Sequence, residues 1–184
     1  QLLADQPMND LEQWRKTHPN IAEGEAVLRC AYLGGKTGVR TYVVHQSSKE
    51  SMEVLSKAKH ERFYVETTSP YLTRDTSSKV GAYGKMLPPF REPESRLALW
   101  DGIRKGLIDT IGTDNVTMTS AEKKMPQGMA GADAGYPALG THLVSVLNEG
   151  FFRQEIPLEK LVPLITMNPA KIFGVYPKKG TLLP

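Results

Sequence analysis

Three short segments rich in β-branched and aromatic residues recur along this chain, each separated from the next by a stretch with helical periodicity. They occupy residues 40–45, 63–67 and 108–114. Residues of these types favour strands. A chain that alternates strand, helix and strand forms parallel strands joined by right-handed crossovers. The predicted fold class is therefore α/β with a parallel sheet.

Apolar residues at intervals of three or four predict the helices between these strands. The predicted helices span residues 10–16, 21–37, 48–60, 94–105, 137–150, 158–165 and 168–173. In the second helix the predicted buried stripe runs through Ala22, Ala26, Val27, Cys30 and Leu33. Two segments without this periodicity, 68–93 and 115–136, are predicted loops, and loops of such length are usually functional or disordered.

Composition excludes several classes of protein. With 184 residues, 40% hydrophobic and 23% charged, the chain has the make-up of one globular domain. Its net charge is only +3 and its basic residues are scattered, so no nucleic-acid partner is predicted. No apolar run reaches the roughly 20 residues that cross a bilayer, and residues 1–10 lack a secretory pattern. We expect a cytoplasmic protein with no membrane partner. A single cysteine excludes an internal disulfide framework.

The predicted strands end in polar residues: the first in His45, the second in Glu66 to Thr68, and the third in Asp114. The carboxyl ends of parallel strands converge, so these side chains are predicted to lie together. Imidazole and carboxylate groups ligate zinc, and a carboxylate also serves as a general base. Strand-end histidines are nevertheless more often packed and hydrogen-bonded. His142 is predicted to be packed or at an interface, and His18 and His60, at helix ends, to be solvated or to contact a helix dipole.

Five segments resemble motifs of the cyclic amidohydrolases, the family of dihydropyrimidinase (hydantoinase), allantoinase and dihydroorotase. They are YVVHQSS at 42–48, ETTSPYL at 66–72, KMLPPFRE at 85–92 followed by Leu99-Trp100, TDN at 113–115, and NPAKIFGVYPKKG at 168–180. They follow the family's order over nearly the entire chain. Each motif is weak alone, but together they are specific.

The resemblance implies a (β/α)₈ TIM barrel of the metal-dependent amidohydrolase type, with this chain supplying roughly the last three βα units. A complete barrel takes about 250 residues. Residues 1–184 are thus expected to be a C-terminal portion without the N-terminal half and small β-sandwich, and inactive alone. The chain does not start with Met, which supports this interpretation. Its open sheet edge predicts association, and a homo-oligomer through barrel helices is expected.

The resemblance also implies a reaction, the hydrolysis of a C–N bond in a cyclic amide or ureide. Hydantoins and dihydropyrimidines are expected substrates ahead of allantoin and dihydroorotate. His45 and Asp114 take metal-ligand positions, and Asp114 is also the expected catalytic base. Two zinc ions are the expected cofactor, with the remaining ligands outside this sequence.

Substrate contacts are expected at two places. Leu87 and Pro88 would bind through backbone groups, although Leu87 replaces a usual Ser. Ala130 and Gly131, in the loop after the third strand, would contact the ring. The alternative function is a non-catalytic dihydropyrimidinase-like protein serving assembly or partner binding. Retention of both ligands argues against it, and a coincidental match of five ordered motifs to an unrelated binding module is weaker still.

Overall fold

Three parallel strands form the sheet in the computed structural model, which describes residues 7–182. The strands are β1 (Thr41–Val43), β2 (Phe63–Thr68) and β3 (Thr110–Gly112), in that spatial order. Thr41 lies opposite Phe63, and Glu66 lies opposite Thr110. The predicted α/β class and parallel sheet are confirmed, and β2 is the central strand of the three.

Helices precede, connect and follow the strands. They are α1 (Leu11–Lys16), α2 (Asn20–Thr37), α3 (Lys49–Ala58), α4 (Ser69–Thr73), α5 (Pro93–Arg104), α6 (Gly128–Gly131), α7 (His142–Leu147), α8 (Leu158–Ile165) and α9 (Met167–Ile172). Side-chain caps explain two of the starts: Asp10 accepts from the Gln13 N–H and Ser48 from the Ser51 N–H. Within the described residues, no helix is both long and apolar enough to span a membrane.

The structure corrects several predicted boundaries. The first predicted loop contains α4 and the second contains α6. The helix predicted over 137–150 is divided into a 3₁₀ turn, α7 and a π-helical turn that continues to Arg153. The strands β1 and β3 begin later and end earlier than predicted, and their early ends are followed by positive φ at His45 and Asp114.

The predicted buried face of α2 is wrong. Its buried residues are Asn20, Gly24, Val27, Ala31 and Gly34. Of the predicted stripe only Val27 belongs to this face, and Cys30 is exposed. Small residues are needed where α2 meets its neighbours, since a Cβ at Gly34 would lie 2.7 Å from the Thr41 hydroxyl oxygen. The larger apolar side chains of Ile21 and Tyr32 point outward, 73% and 62% exposed.

The hydrophobic core lies between the sheet and its connecting helices. Trp100 on α5 is fully buried, and its indole N–H donates to the Leu72 carbonyl at 3.0 Å. Phe63 and Val65 of β2, together with Leu55 of α3, are also fully or almost fully buried. This core holds the carboxyl ends of the strands in a defined arrangement, which is where the predicted site residues lie.

Candidate functional site

His45 lies at a kink just beyond β1. It follows the last strand residue by two positions and has a φ of +45°. The next residue returns to the sheet, because the Gln46 N–H donates to the Glu66 carbonyl at 2.8 Å and its own carbonyl accepts from the Thr67 hydroxyl at 2.7 Å. Positive φ in a non-glycine residue is strained and recurs at functional sites.

Asp114 repeats this geometry beyond β3. It also lies two positions after the strand, with a φ of +47°. The base of the following loop is closed by two hydrogen bonds. The Val116 N–H donates to the Tyr136 carbonyl at 3.1 Å, and the Asn115 side-chain oxygen accepts from the Leu139 N–H at 3.0 Å. The two predicted metal ligands thus share one backbone conformation at two strand ends.

A cavity of about 460 Å³ opens beside His45. This volume falls in the range of small-molecule sites. Its walls are formed by Thr17, His18, Pro19, Ala22, Glu23, His45, Leu87, Pro88, Pro89 and Arg91. The cavity therefore brings together three predicted site residues: His45, Leu87 and Pro88. Asp114, Ala130 and Gly131 are not among the residues that line it.

Tyr71 is a buried residue that supports the cavity wall at Pro88. Its hydroxyl donates to the Pro88 carbonyl at 2.6 Å. Burial, with the negative charges of Glu23 and Asp114, raises the pKa of Tyr71 well above its usual value. The phenol consequently stays protonated and remains a donor. On the same wall, the Trp14 indole N–H donates to the Met86 carbonyl at 2.8 Å.

A buried ion pair fixes the turn that carries His45. Arg91 and Glu23 approach to 3.2 Å, with side chains 4% and 10% exposed. Glu23 also accepts hydrogen bonds from the backbone N–H groups of Ser47 and Ser48, both at 2.9 Å, and from both hydroxyls. Burial alone would raise the pKa of Glu23, but Arg91 and the serine donors outweigh it and hold the pKa below its usual value.

Glu23, Arg91 and His18 were not predicted as site residues. Arg91 and the two serines do lie inside matched motifs, which was the available signal. Glu23 carried no comparable signal, because its partners are 24 to 68 positions away. His18 was predicted to be solvated or to contact a helix dipole, yet it lines the cavity and packs on Trp14 with ring centroids 4.7 Å apart.

The donors at the two strand ends suit a divalent cation. The Nδ1 atom of His45 is buried, and no hydrogen-bond partner for it exists in the described part of the chain. Buried polar atoms are usually paired, so this nitrogen is available to a hydrogen-bond donor, an acceptor or a metal ion. Asp114 offers carboxylate oxygens. Between residues 7 and 182 there is no cluster of three or more His, Cys, Asp or Glu side chains that could hold a metal.

Comparison with known proteins identifies the relatives of this chain. No protein-family model matches it. It is 35% identical over 179 residues to the L-hydantoinase of Paenarthrobacter aurescens, which covers 94% of this chain and 39% of that enzyme. It is also 35% identical over 166 residues to a dihydroorotase of Staphylococcus epidermidis, covering 85% and 37% respectively. The D-hydantoinase (dihydropyrimidinase) structure from Thermus sp. superposes with a TM-score of 0.86 at 27% identity, covering 95% of this chain and 40% of that one.

The chain is a relative of the cyclic amidohydrolases. It spans about two fifths of the length of the relatives that it matches. The predicted contribution to an amidohydrolase TIM barrel is confirmed, because nearly the entire chain superposes on part of a hydantoinase. The three parallel strands with their helices are that part of the barrel.

In this amidohydrolase relative, the loop after β3 makes a close turn at Gly131, which is half-buried, next to the exposed Ala130. A Cβ at Gly131 would lie 2.5 Å from the Gln127 Cβ, so the close approach requires glycine. The Ala130 carbonyl accepts from the Lys85 amine at 3.2 Å. The Lys85 hydrogen bond ties the predicted substrate loop to the segment that leads into Leu87 and Pro88.

Proposed function

We propose that the protein carrying this chain hydrolyses a C–N bond in a cyclic amide or ureide, with residues 1–184 forming the last three βα units of its barrel. The relatives named L-hydantoinase, dihydroorotase and D-hydantoinase support this class of substrate. The observation that carries the proposal is the shared left-handed conformation of His45 and Asp114 at two parallel strand ends, with a cavity beside His45. A scaffold that only assembled with partners would have no physical need for this arrangement.

His45 and Asp114 would hold a divalent cation, with zinc suited to nitrogen and oxygen donors. When bound, such an ion polarises a carbonyl oxygen and lowers the pKa of bound water. Two side chains are too few for a stable site. The remaining ligands are therefore proposed to come from barrel strands outside this sequence.

The residues of this chain have distinct tasks in the proposed reaction. Asp114 takes a proton from the attacking water and delivers it to the departing ring nitrogen. A C–O bond forms as the C–N bond breaks, so water adds across the amide and no other reactant is needed. The backbone at Leu87 and Pro88, with Ala130 and Gly131, is proposed to contact the ring. Neutral Tyr71 keeps the Pro88 carbonyl in place.

The test is Asp114→Asn in the full-length protein that carries this sequence. Turnover of hydantoin, dihydrouracil and dihydroorotate should fall about 10²- to 10⁴-fold, because a positioned general base contributes a factor of this size. Asp101→Asn is the matched control, since Asp101 is exposed on α5 and forms a surface ion pair with Lys105 at 2.6 Å. Circular dichroism should show both variants folded.

Metal content provides a second measurement on the same samples. His45→Ala should lower the zinc bound per chain, whereas Asp101→Asn should leave it unchanged. Full activity in Asp114→Asn would contradict the assigned role. A full-length protein that binds no metal and hydrolyses none of the three substrates would instead support the assembly function.

A further inference from the structure

Lys123 is a buried lysine in the loop after β3. It is 1% exposed, among the most deeply buried charged side chains of the described residues. Its amine donates to the backbone carbonyls of Lys85 at 2.8 Å and Asp133 at 3.0 Å, and to that of Gly135. It therefore joins three points of the chain that belong to two separate segments.

Lys85 makes the reciprocal connection. It is 7% exposed, and its amine donates to the Ala130 carbonyl at 3.2 Å while lying 4.5 Å from the centre of the Trp14 ring. Lys85 stands two positions before Leu87, which lines the cavity. We name Lys85 and Lys123 the lysine clamp, because each donates across the gap between the two segments.

We propose that the lysine clamp positions the Ala130–Gly131 turn against the cavity wall at Leu87 and Pro88, and thereby sets affinity for the ring substrate. The inference rests on the proposed function for its substrate. Lys85 and Lys123 are positioning residues, since neither is placed in contact with the reacting atoms.

The charged groups around Lys123 leave its amine to backbone carbonyls and not to a carboxylate. Burial, with repulsion from Lys85, lowers the pKa of Lys123 to about 8. Asp133 is the facing carboxylate, but its side chain pairs with the exposed Lys124 at 3.0 Å. In the described chain Lys123 has no carboxylate within ion-pair distance. An amine buried in this way is costly, and its carbonyl partners offset that cost.

The loop after β3 is also held at its base, close to Asp114, by hydrogen bonds that do not involve the clamp. Its base is closed by Val116 with Tyr136 and by Asn115 with Leu139, independently of the clamp. Lys123 holds the segment after the turn at Asp133 and Gly135, and Lys85 holds the turn at Ala130, so loss of either amine should loosen the turn and leave Asp114 in place. The expected signature is a change in KM with little change in kcat.

The experiment compares Lys123→Met with Lys124→Met in the full-length protein. Methionine keeps most of the side-chain volume and removes the donors. Lys124 is the matched control because it is adjacent, exposed and paired on the same loop. We expect KM to rise about tenfold in Lys123→Met with kcat within about twofold, and no change in Lys124→Met.

Amide hydrogen exchange is the readout that does not depend on activity. Exchange over residues 128–135 should accelerate about tenfold in Lys123→Met and stay at the wild-type rate in Lys124→Met. An unchanged exchange rate over these residues in Lys123→Met would contradict the clamp. A fall in kcat as large as the rise in KM would also contradict it. If Lys123→Met fails to fold, Lys85→Met tests the same clamp by removing the bond to Ala130. A wild-type protein without hydrolase activity but with the expected exchange difference would reject the proposed function and retain the clamp.

Discussion

The two strand ends that carry His45 and Asp114 share a backbone conformation but are stabilised by different chemistry. The turn after β1 is held by the charged pair of Glu23 and Arg91. The loop after β3 is held by the amine of Lys123 on neutral carbonyls. Removing one partner of a buried ion pair leaves an uncompensated charge, whereas removing a lone amine leaves only carbonyls unpaired. The β1 end is consequently the more costly of the two to disturb.

The largest effect on the free energy of unfolding is expected at the β1 end. Arg91→Met should lower the free energy of unfolding by about 3–5 kcal/mol, because Glu23 is left buried without its counter-ion. The control is Arg29→Met, whose exposed pair with Glu25 is worth about 0–1 kcal/mol. Guanidinium unfolding of both variants measures the difference. Equal midpoints would remove the distinction between the two strand ends.

An intermediate effect on the free energy of unfolding is expected at the β3 end, where stability should depend on pH in the alkaline range. The pKa of Lys123 is about 8 in the folded protein, against about 10.4 when unfolded. Between these two pH values the unfolded chain binds more protons at Lys123 than the folded protein does. The free energy of unfolding therefore rises with pH across this window. Relative to Lys123→Met, the wild type should gain about 1–2 kcal/mol between pH 8 and 10.

Unfolding of both proteins at pH 7, 9 and 10 measures this gain, with Lys124→Met as the control. A difference that stays constant with pH would show that Lys123 is not desolvated. The β3 end would then resemble an exposed loop.

The smallest effect is expected at the helix cap beside His45. Ser48 caps α3 and also donates to Glu23 at 2.9 Å. Ser48→Ala should lower the free energy of unfolding by about 1 kcal/mol through loss of the cap. Thr119→Ala on the β3 loop should lower it by less than about 0.5 kcal/mol, because the hydrogen bonds between Thr119 and Glu122 are exposed. Thermal unfolding ranks the two. A larger cost at Thr119 would reverse the comparison.

Much of the fold was predictable because local propensity and connectivity determine it. Strand-forming residues at 63–67 became β2 with one further residue, and most of the helix predicted over 48–60 became α3. The motif order identified the family, which the relatives confirm. The metal and substrate roles of His45, Asp114, Leu87, Pro88, Ala130 and Gly131 stay predictions.

The sequence failed where a residue's surroundings are built by distant segments. Apolar residues occur on several sides of α2, so periodicity alone could not show that Gly24 and Gly34 face the neighbouring elements while Cys30 faces outward. The two long loops concealed α4 and α6, which are too short to show a period.

The sequence by itself determined the alternation of strands and helices, the family and the positions of the strand-end residues, because these depend on neighbours in the chain. Only the tertiary structure decided how those ends are held. Glu23 meets Arg91 across 68 positions, and Lys123 meets the Lys85 carbonyl across 38. Burial and hydrogen bonding between such distant residues arise from packing, so no local pattern records them.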